Sequence, residues 1–357
     1  MKALIRTDAS LQIGNGHVMR CMSLAKSLQQ EGVETVFICR PLQGNLIDYI
    51  KAQGLSVLTL PVATSAAEGP AEDTMSEWQT DAQECIDLLN GQHFEWLIVD
   101  HYGLDARWHQ MMRSHCGQIM VMDDLANRPL DADALVDQNP GRIATDYDHC
   151  LNEEVPKFIG PDYALIKPEF ANLRDESLTR RQNSDVKHIL VSLGGVDINN
   201  VTQSVLQALN HAELPDNTQI TVVLGQHAPW KNEVENELTR MVLPTRLISQ
   251  TEHMAELMCE ADLAIGAAGT SALERCCMGL PSLQLVLADN QSTAANALDL
   301  AGAAITISLE EDLKDPVSQA LKHLMKPNHL MDMQTAASKM VDGKGCQRVV
   351  NEVMHVG

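Results

Sequence analysis

Short apolar runs alternate with amphipathic segments along most of the chain. In the first half these runs predict strands at Ala3–Arg6, Thr35–Cys39, Leu55–Leu60, Trp96–Asp100, Gln118–Met122 and Ala134–Val136. Segments with helical periodicity lie between most of them, beginning with an apolar stripe from Val18 to Leu28 that Gly32 closes. Such alternation predicts a parallel sheet covered by helices on both faces.

A second series of the same kind begins near Lys187. Its predicted strands are His188–Leu193, Ile220–Leu224, Thr245–Ile248, Leu263–Ile265, Ser282–Val286 and Ala304–Ile307. The charged segment Phe170–Asp185 indicates a connecting helix and linker, and Leu321–Val356 predicts two amphipathic helices broken at Pro327.

The expected fold class is therefore α/β, with two Rossmann-like, doubly wound domains that face each other across a cleft. The predicted boundaries are 1–165 for the N-terminal domain, 166–186 for the linker, and 187–357 for the C-terminal domain with its last helices. Ligands of such sheets bind beyond the carboxyl ends of the strands, so the residues that follow strands are the candidates for function.

The composition argues against a nucleic-acid-binding protein and against a membrane protein. The 48 acidic against 26 basic residues give a net charge of −22, which argues against nucleic acid or an anionic membrane as partner. No apolar run approaches the roughly 18 residues that a membrane span needs, and Met1 leads into a strand without the pattern of a signal peptide. The small, polar stretch at 63–76 is interpreted as a surface loop.

The nine cysteines lie mostly within apolar stripes and form no C-x-x-C pair. This usage is typical of a reduced, cytoplasmic protein. Cysteine and histidine are not clustered, so neither a metal nor another cofactor is expected.

The loop after the first strand, Asp8–Gly16, ends on His17 at the start of a helical pattern. A dinucleotide fingerprint is one interpretation of Gly14 and Gly16, but its third glycine would fall at Met19. Alternatively, the glycines serve a tight turn and His17 packs locally. In the third interpretation His17 is a general base, kept neutral by the helix dipole and Arg20, while Asp8 orients its ring.

Polar residues also follow two later strands of the first half. The segment from Asp100 to Gly103, with Tyr102, is either a solvated turn or a sugar-facing loop. Asp123 and Asp124 follow the next strand, and Asp131 with Asp133 forms a D-x-D pattern. Such carboxylates are common on loops, and metal binding there is not expected.

In the second half two glycine-rich turns precede helices. After Gly194 and Gly195, backbone N–H groups at the helix start near Val201 are suited to a phosphate, and the absent Cβ atoms let the ligand approach. Thr270 and Ser271 add hydroxyl donors that suit a diphosphate, and Glu274 is either a ribose-binding carboxylate or a surface acid. Asn290 and Gln291 open a later helix, as a cap or as ligand-facing amides.

Five segments of the sequence resemble one family: Arg6–His17, Val99–Gly103, Gly160–Ile166, Gly194–Asp197 and Asn290–Ser292. It is the UDP-sugar hydrolase family of pseudaminic acid biosynthesis (PseG), which is related to the glycosyltransferase MurG. The resemblance runs from Met1 to about Gly302. It implies the GT-B architecture and metal-independent attack of water on the anomeric carbon. It also implies that His17 is the base, with Tyr102 and Asn290 close to the reacting sugar and β-phosphate.

The resemblance further implies UDP-2,4-diacetamido-2,4,6-trideoxy-β-L-altropyranose as the substrate. No nucleic acid or membrane partner is expected, and the oligomeric state is open. Ordinary glycosidases use two carboxylates because an alkoxide leaves poorly, whereas UDP leaves already stabilised. One base and donors to the β-phosphate then suffice, and Gly14 with Gly16 gives clearance for a sugar ring. A GT-B glycosyltransferase that uses a UDP-amino sugar and a sugar-nucleotide sensor are the alternatives.

Overall fold

A computed structural model describes residues 1–62, 77–183, 185–225, 228–249, 251–309 and 312–355. The chain divides into two compact units, Met1–Ile166 with Lys344–Gly357, and Lys167–Gly343. The loop predicted at 63–76 lies outside the described residues. Among those described, no helix has both the length and the apolar character needed to cross a bilayer.

The first unit is built on a seven-stranded parallel sheet in the order β3-β2-β1-β4-β5-β6-β7. Its strands are β1 (Lys2–Thr7), β2 (Glu34–Cys39), β3 (Ser56–Thr59), β4 (Phe94–Asp100), β5 (Cys116–Met122), β6 (Ala134–Asp137) and β7 (Lys157–Ile159). Its first four helices are α1 (Gly16–Gln30), α2 (Ile47–Ala52), α3 (Trp78–Leu89) and α4 (Ala106–Met112). The strand β7 was not predicted, because three residues that begin with lysine give no readable apolar run.

The strand order of this sheet reverses between β1 and β4, which pair in register from Ala3↔Trp96 to Thr7↔Asp100. Both strands are buried, since Leu4, Ile5, Leu97 and Ile98 are at most 1% exposed. The loop to α1 and the end of β4 therefore meet at the topological switch point, where doubly wound sheets bind ligands.

The second unit has a six-stranded sheet, again parallel, in the order β10-β9-β8-β11-β12-β13. Its strands are β8 (His188–Ser192), β9 (Gln219–Leu224), β10 (Thr245–Ser249), β11 (Leu263–Ala267), β12 (Ser282–Leu285) and β13 (Ile305–Ile307). Its helices are α5 (Pro168–Arg180), α6 (Val201–His211), α7 (Lys231–Leu238), α8 (Met254–Glu260), α9 (Thr270–Cys277), α10 (Ser292–Leu300), α11 (Lys314–Leu324) and α12 (His329–Met340). The prediction of an α/β fold with two doubly wound, parallel-sheet domains is confirmed.

The predicted linker at 166–186 is instead largely a packed helix of the second unit. Ser177 Oγ on α5 donates to the carbonyl of Met278 at 2.7 Å. The buried Arg181 guanidinium donates to the carbonyls of Ala261 at 2.8 Å and Met278 at 2.9 Å. The helix was expected, but its packing was not, because the carbonyl groups that accept from Ser177 and Arg181 are distant along the chain.

The end of the chain also differs from the predicted boundary at 357. The break near Pro327 is present, but a second one follows at Gly343, whose φ is +83°. A third helix, α13 (Gly345–His355), belongs to the first unit. Its Val349, Val350 and Val353 are fully buried in the core that also contains α1. This apolar face is the reason that the last helix lies outside the second domain.

Candidate active site

His17 lies in the first turn of α1, as predicted, and Asp100 at the end of β4 holds its ring. His17 Nδ1 is 2.6 Å from Asp100 Oδ1. Both residues are buried, with 8% and 0% of their surface exposed. An ionised carboxylate can only accept, so Nδ1 carries the proton and Nε2 keeps the lone pair of the neutral imidazole. The geometry thus leaves Nε2 as the basic nitrogen.

Arg20 lies one turn further along α1 and keeps Asp100 ionised. Its Nε and Nη2 donate to Asp100 Oδ2 and Oδ1 at 2.6 and 2.7 Å, a bidentate pair. Arg20 Nη2 is also 3.2 Å from His17 Nδ1, but both nitrogens carry hydrogen and share Asp100 Oδ1 as acceptor. Burial raises the pKa of Asp100, but the charge of Arg20 and the hydrogen bonds from Arg20 and His17 outweigh it and hold this pKa well below its usual range.

Tyr102 packs against the histidine ring. The two ring centroids are 4.5 Å apart with an interplanar angle of 84°, an edge-to-face contact. Tyr102 Oη donates to Asp124 Oδ1 at 2.6 Å, and Asp124 Oδ2 accepts from Arg20 Nη1 at 3.2 Å. Burial and the Asp124 charge raise the pKa of Tyr102 well above its ordinary value, so its hydroxyl remains a neutral donor.

Asp8 does not orient His17, in contrast to the prediction. Its carboxylate lies 2.8 Å from Arg6 Nη1 and 3.4 Å from His101 Nε2, and it accepts the Arg40 N–H at 2.7 Å. Burial acts to raise the pKa of Asp8, but Arg6 holds it well below the usual range. With 3% of its surface exposed, Asp8 supports the loop from inside the domain.

Gly14 and Gly16 differ in their backbone positions. Gly14 has a φ of +79°, and a Cβ built there would meet no atom within 4 Å. Glycine is thus required by the backbone, and the space beside it is open. Gly16 is the first residue of α1.

Arginines form ion pairs with Asp123 and with the two carboxylates of the predicted D-x-D pattern. Asp123 Oδ1 accepts from Arg128 at 2.6 Å, and Arg113 bonds both Asp131 and Asp133 at 2.5 Å. Within the described residues no group of three or more His, Cys, Asp or Glu could hold a metal ion. These carboxylates have structural partners.

In the second unit, the turn after β8 offers fewer donors than predicted. Gly194 has a φ of +99°, which favours glycine. The Asp197 carboxylate, however, already accepts the N–H groups of Val201 and Thr202 at 2.9 and 2.8 Å. An anion at Gly194 and Gly195 would rely on the turn itself, because Asp197 caps the start of α6.

The turn between β11 and α9 differs in its N-cap residue. That residue is Gly269, which has no side chain to bond the first N–H groups of α9, and Thr270 and Ser271 are half-buried. Arg275 lies behind the turn, donating to Ser271 Oγ at 3.2 Å and to the Ala267 carbonyl at 2.8 Å. The sequence analysis did not predict the buried Arg275 guanidinium. The only related feature in the sequence is Gly266, which leaves room for it on β11. A Cβ at Gly266 would lie 2.5 Å from Arg275 Nη1.

Glu274 is partly exposed and lines a cavity of about 30 Å³ together with Ser192, Ser271 and Arg275. Burial raises the pKa of Glu274 to about 7, while Lys167 and Arg275 act to lower it. Its carboxyl group therefore titrates near neutral pH.

Asn290 and Gln291 lie in a 3-10 turn, Asp289–Gln291, that precedes α10. Gln291 Oε1 accepts the Leu287 N–H at 2.9 Å, and its Nε2 would lie 3.5 Å from a Cβ at Gly269. Gln291 thus lies next to the α9 turn. Asn290, the residue before it, is exposed.

Comparison with known proteins shows which proteins this chain is similar to. The model of the glycosyltransferase family 28 C-terminal domain matches residues 188–349. The UDP-2,4-diacetamido-2,4,6-trideoxy-beta-L-altropyranose hydrolase of Campylobacter jejuni is 26% identical over 298 residues, 84% of this chain and 96% of that protein. The spore coat polysaccharide biosynthesis protein SpsG of Bacillus subtilis is 24% identical over 349 residues, 97% of this chain and 95% of that protein.

An uncharacterized protein of Methanocaldococcus jannaschii is 26% identical over 291 residues, and the matched region spans 55% of its length. Among solved structures, Acinetobacter baumannii MurG has a TM-score of 0.71 with 16% identity, covering 99% of each chain. A UDP-glucosyltransferase from Polygonum tinctorium has a TM-score of 0.69 with 11% identity, covering 99% of this chain and 98% of that chain. The chain therefore has the GT-B fold of these structures, its residues 188–349 match the family 28 C-terminal domain, and the predicted resemblance to the pseudaminic acid UDP-sugar hydrolase family is confirmed.

Proposed function

We propose that this protein hydrolyses UDP-2,4-diacetamido-2,4,6-trideoxy-β-L-altropyranose to UDP and the free sugar, a step of pseudaminic acid biosynthesis. The observation that carries the proposal is the buried His17–Asp100 pair, which leaves His17 Nε2 as a proton acceptor. The family 28 match and the hydrolase relative support an enzyme that acts on a UDP-sugar. The use of water as acceptor and the identity of the sugar are the finer parts of the proposal.

In the proposed reaction His17 Nε2 takes a proton from water as the water oxygen attacks the anomeric carbon. The anomeric C–O bond breaks, and its electron pair goes to the β-phosphate oxygen of the departing UDP. Attack from the face opposite to UDP inverts the anomeric configuration. Asp100 remains ionised and stabilises the imidazolium, as the aspartate of a catalytic triad does.

The remaining residues are assigned by their chemistry. Gly14, Gly16 and Tyr102 are proposed to contact the sugar, and Asp8 supports the loop that contains Gly14. The donors proposed for the diphosphate are Gly194, Gly195, Thr270, Ser271, Asn290 and Gln291. Arg275 supplies positive charge behind the α9 turn, which matters in a chain of net charge −22.

An NMR time course on the altro-configured UDP-sugar tests the reaction. We expect UDP release without any acceptor, and a first sugar product with inverted anomeric configuration. UDP binding without release of free sugar would instead identify a sensor and contradict the proposal.

A GT-B glycosyltransferase is the second candidate, favoured by the family 28 match and the similarity to MurG. In that reaction His17 would deprotonate an acceptor hydroxyl. Running the same time course with and without sugar acceptors separates the two, because UDP release that requires an acceptor would establish a transferase.

The affinity for UDP should depend on the ionisation of Glu274. Because its pKa is raised to about 7, the group is mostly protonated at pH 6 and mostly ionised at pH 8. If the ionised carboxylate accepts hydrogen bonds from the ribose hydroxyls, the affinity for UDP should rise about tenfold from pH 6 to pH 8. Isothermal titration calorimetry measures the change.

The Glu274→Gln variant should bind UDP about tenfold more weakly at pH 8 and lose this part of the pH dependence. Glu256→Gln, which alters a carboxylate on α8 paired with His253, is the matched control. Wild-type affinity of Glu274→Gln at pH 8 would remove Glu274 from the binding site.

A further inference from the structure

Five side chains close a ring of contacts around His17. His17 bonds Asp100, Asp100 bonds Arg20, Arg20 bonds Asp124, Asp124 bonds Tyr102, and the Tyr102 ring returns to His17 at 4.5 Å. The members come from α1, from the end of β4, and from the loops that follow β4 and β5. Asp124 is connected to His17 on two sides, through Arg20 and through Tyr102.

The charges of this ring favour the uptake of one proton. Arg20 carries a positive charge, Asp100 and Asp124 each carry a negative charge, and Tyr102 is neutral. With a neutral imidazole the ring has one net negative charge, and protonation of His17 brings it to zero. Without the Asp124 charge, Arg20 would already balance Asp100, and an imidazolium would leave an excess positive charge in a buried site.

The surroundings of Asp124 reinforce this arrangement. Asn139 Nδ2 donates to Asp124 Oδ2 at 3.1 Å, and Arg142 Nη2 donates to the Asp124 carbonyl at 3.1 Å. The neighbouring Asp123 is neutralised by Arg128, and burial, together with the Asp124 charge, raises the pKa of Asp137 to about 7. Three donors thus hold the Asp124 carboxylate and a fourth holds its backbone carbonyl, which fixes the two carboxylate oxygens between Arg20 and Tyr102.

We propose that Asp124 is a positioning residue for His17. Its charge offsets that of Arg20, and its carboxylate anchors Tyr102 against the imidazole ring, so that His17 accepts a proton more readily. Its consequence for catalysis rests on the proposed function, whereas its effect on the histidine is measurable without substrate. The sequence alone suggested for Asp124 only a loop carboxylate.

Asp124→Asn tests this role because the amide has the same shape without the charge. Its oxygen can accept from Arg20 and Asn139, and its nitrogen can donate to Tyr102, whose hydroxyl rotates to accept. Asp131→Asn makes the same change in the same domain at a carboxylate whose partner is Arg113. It is the matched control.

The measurement is an NMR titration of the histidine ring carbons of the full chain. Among the 13 histidines, the signal missing in His17→Asn identifies His17. We expect Asp124→Asn to lower the midpoint of His17 by about one pH unit and Asp131→Asn to leave it in place. An unchanged midpoint in folded Asp124→Asn overturns the inference.

If Asp124→Asn does not fold, Tyr102→Phe decides. The ring at position 102 is then no longer anchored to Asp124, so the His17 midpoint should fall, by less than in Asp124→Asn because the Asp124 charge remains. A rise, or no movement, overturns the inference.

Kinetics then separate this inference from the proposed function. The acid limb of the kcat/KM profile of Asp124→Asn should move to lower pH, with a plateau about tenfold lower, because a weaker base remains. A merely structural role would lower the plateau without moving the limb. Absence of UDP release by the wild-type enzyme would contradict the proposed function. The role of Asp124 would then be tested by the NMR titration alone. An inactive His17→Asn with an unmoved Asp124→Asn midpoint would contradict only the role of Asp124.

Discussion

Replacement of His17 by asparagine is expected to lower kcat for UDP release by a factor of about 10² to 10⁴, the usual contribution of a general base. Asparagine can still donate to Asp100, so the loop and the Asp100–Arg20 pair are preserved. No side chain at position 17 would then accept the proton of the attacking water. Release of UDP, followed at substrate saturation, measures the loss.

Binding of UDP by His17→Asn should be unchanged, because the proposed nucleotide donors belong to the other domain. His93→Asn, at an exposed position of the same domain, controls for the substitution itself. Turnover of His17→Asn at nearly the wild-type rate, with UDP bound normally, would remove the base assignment.

Asp100→Asn is expected to lower kcat by about 10³ to 10⁴, comparable to loss of the orienting aspartate in a catalytic triad. An amide no longer enforces the tautomer with Nδ1 protonated, and it supplies no charge to stabilise the imidazolium. The same change leaves the buried Arg20 without its bidentate partner, at a cost of about 3 kcal/mol in the free energy of unfolding. Denaturation and UDP-release assays on one preparation report both effects.

Asp81→Asn separates catalysis from stability. Asp81 is also buried and paired with arginines, since Arg6 Nη2 lies 2.7 Å and Arg40 Nη2 lies 2.8 Å from Oδ2. Its loss should destabilise the domain to a similar extent while kcat is retained at temperatures where the variant is folded. If Asp81→Asn lost as much kcat as Asp100→Asn, general destabilisation would explain both.

The fold was largely predictable because its evidence is local. An apolar run such as Leu263–Ile265 or Ile220–Leu224 identifies a buried strand without knowledge of its neighbours. The failures occur where the deciding partner is remote. The charge of Arg181 indicated a linker, yet its guanidinium lies among the carbonyl groups of α8, Ala261 and Met278. The three residues of β7 become a strand only by pairing with β6.

The candidate site was predictable in part for the same reason. A glycine-containing loop that leads from a strand to a helix identifies His17, and the polar residues after β4 identify Tyr102. The Gly269–Ser271 turn is visible in the same way. The role of Arg275, and the occupation of the α6 start by Asp197, depend on side-chain directions that spacing does not determine.

The sequence by itself determined that His17 begins a helix after a strand and that two parallel-sheet domains follow one another, since strand, turn and helix signals lie within a few neighbouring residues. Only the tertiary structure decided which carboxylate holds the ring. Asp8 is near in sequence but is bonded to Arg6, whereas Asp100 is 83 residues away and reaches His17 because β4 pairs with β1. Strand order is a property of the whole sheet, and so is the partner that determines which nitrogen of His17 is basic.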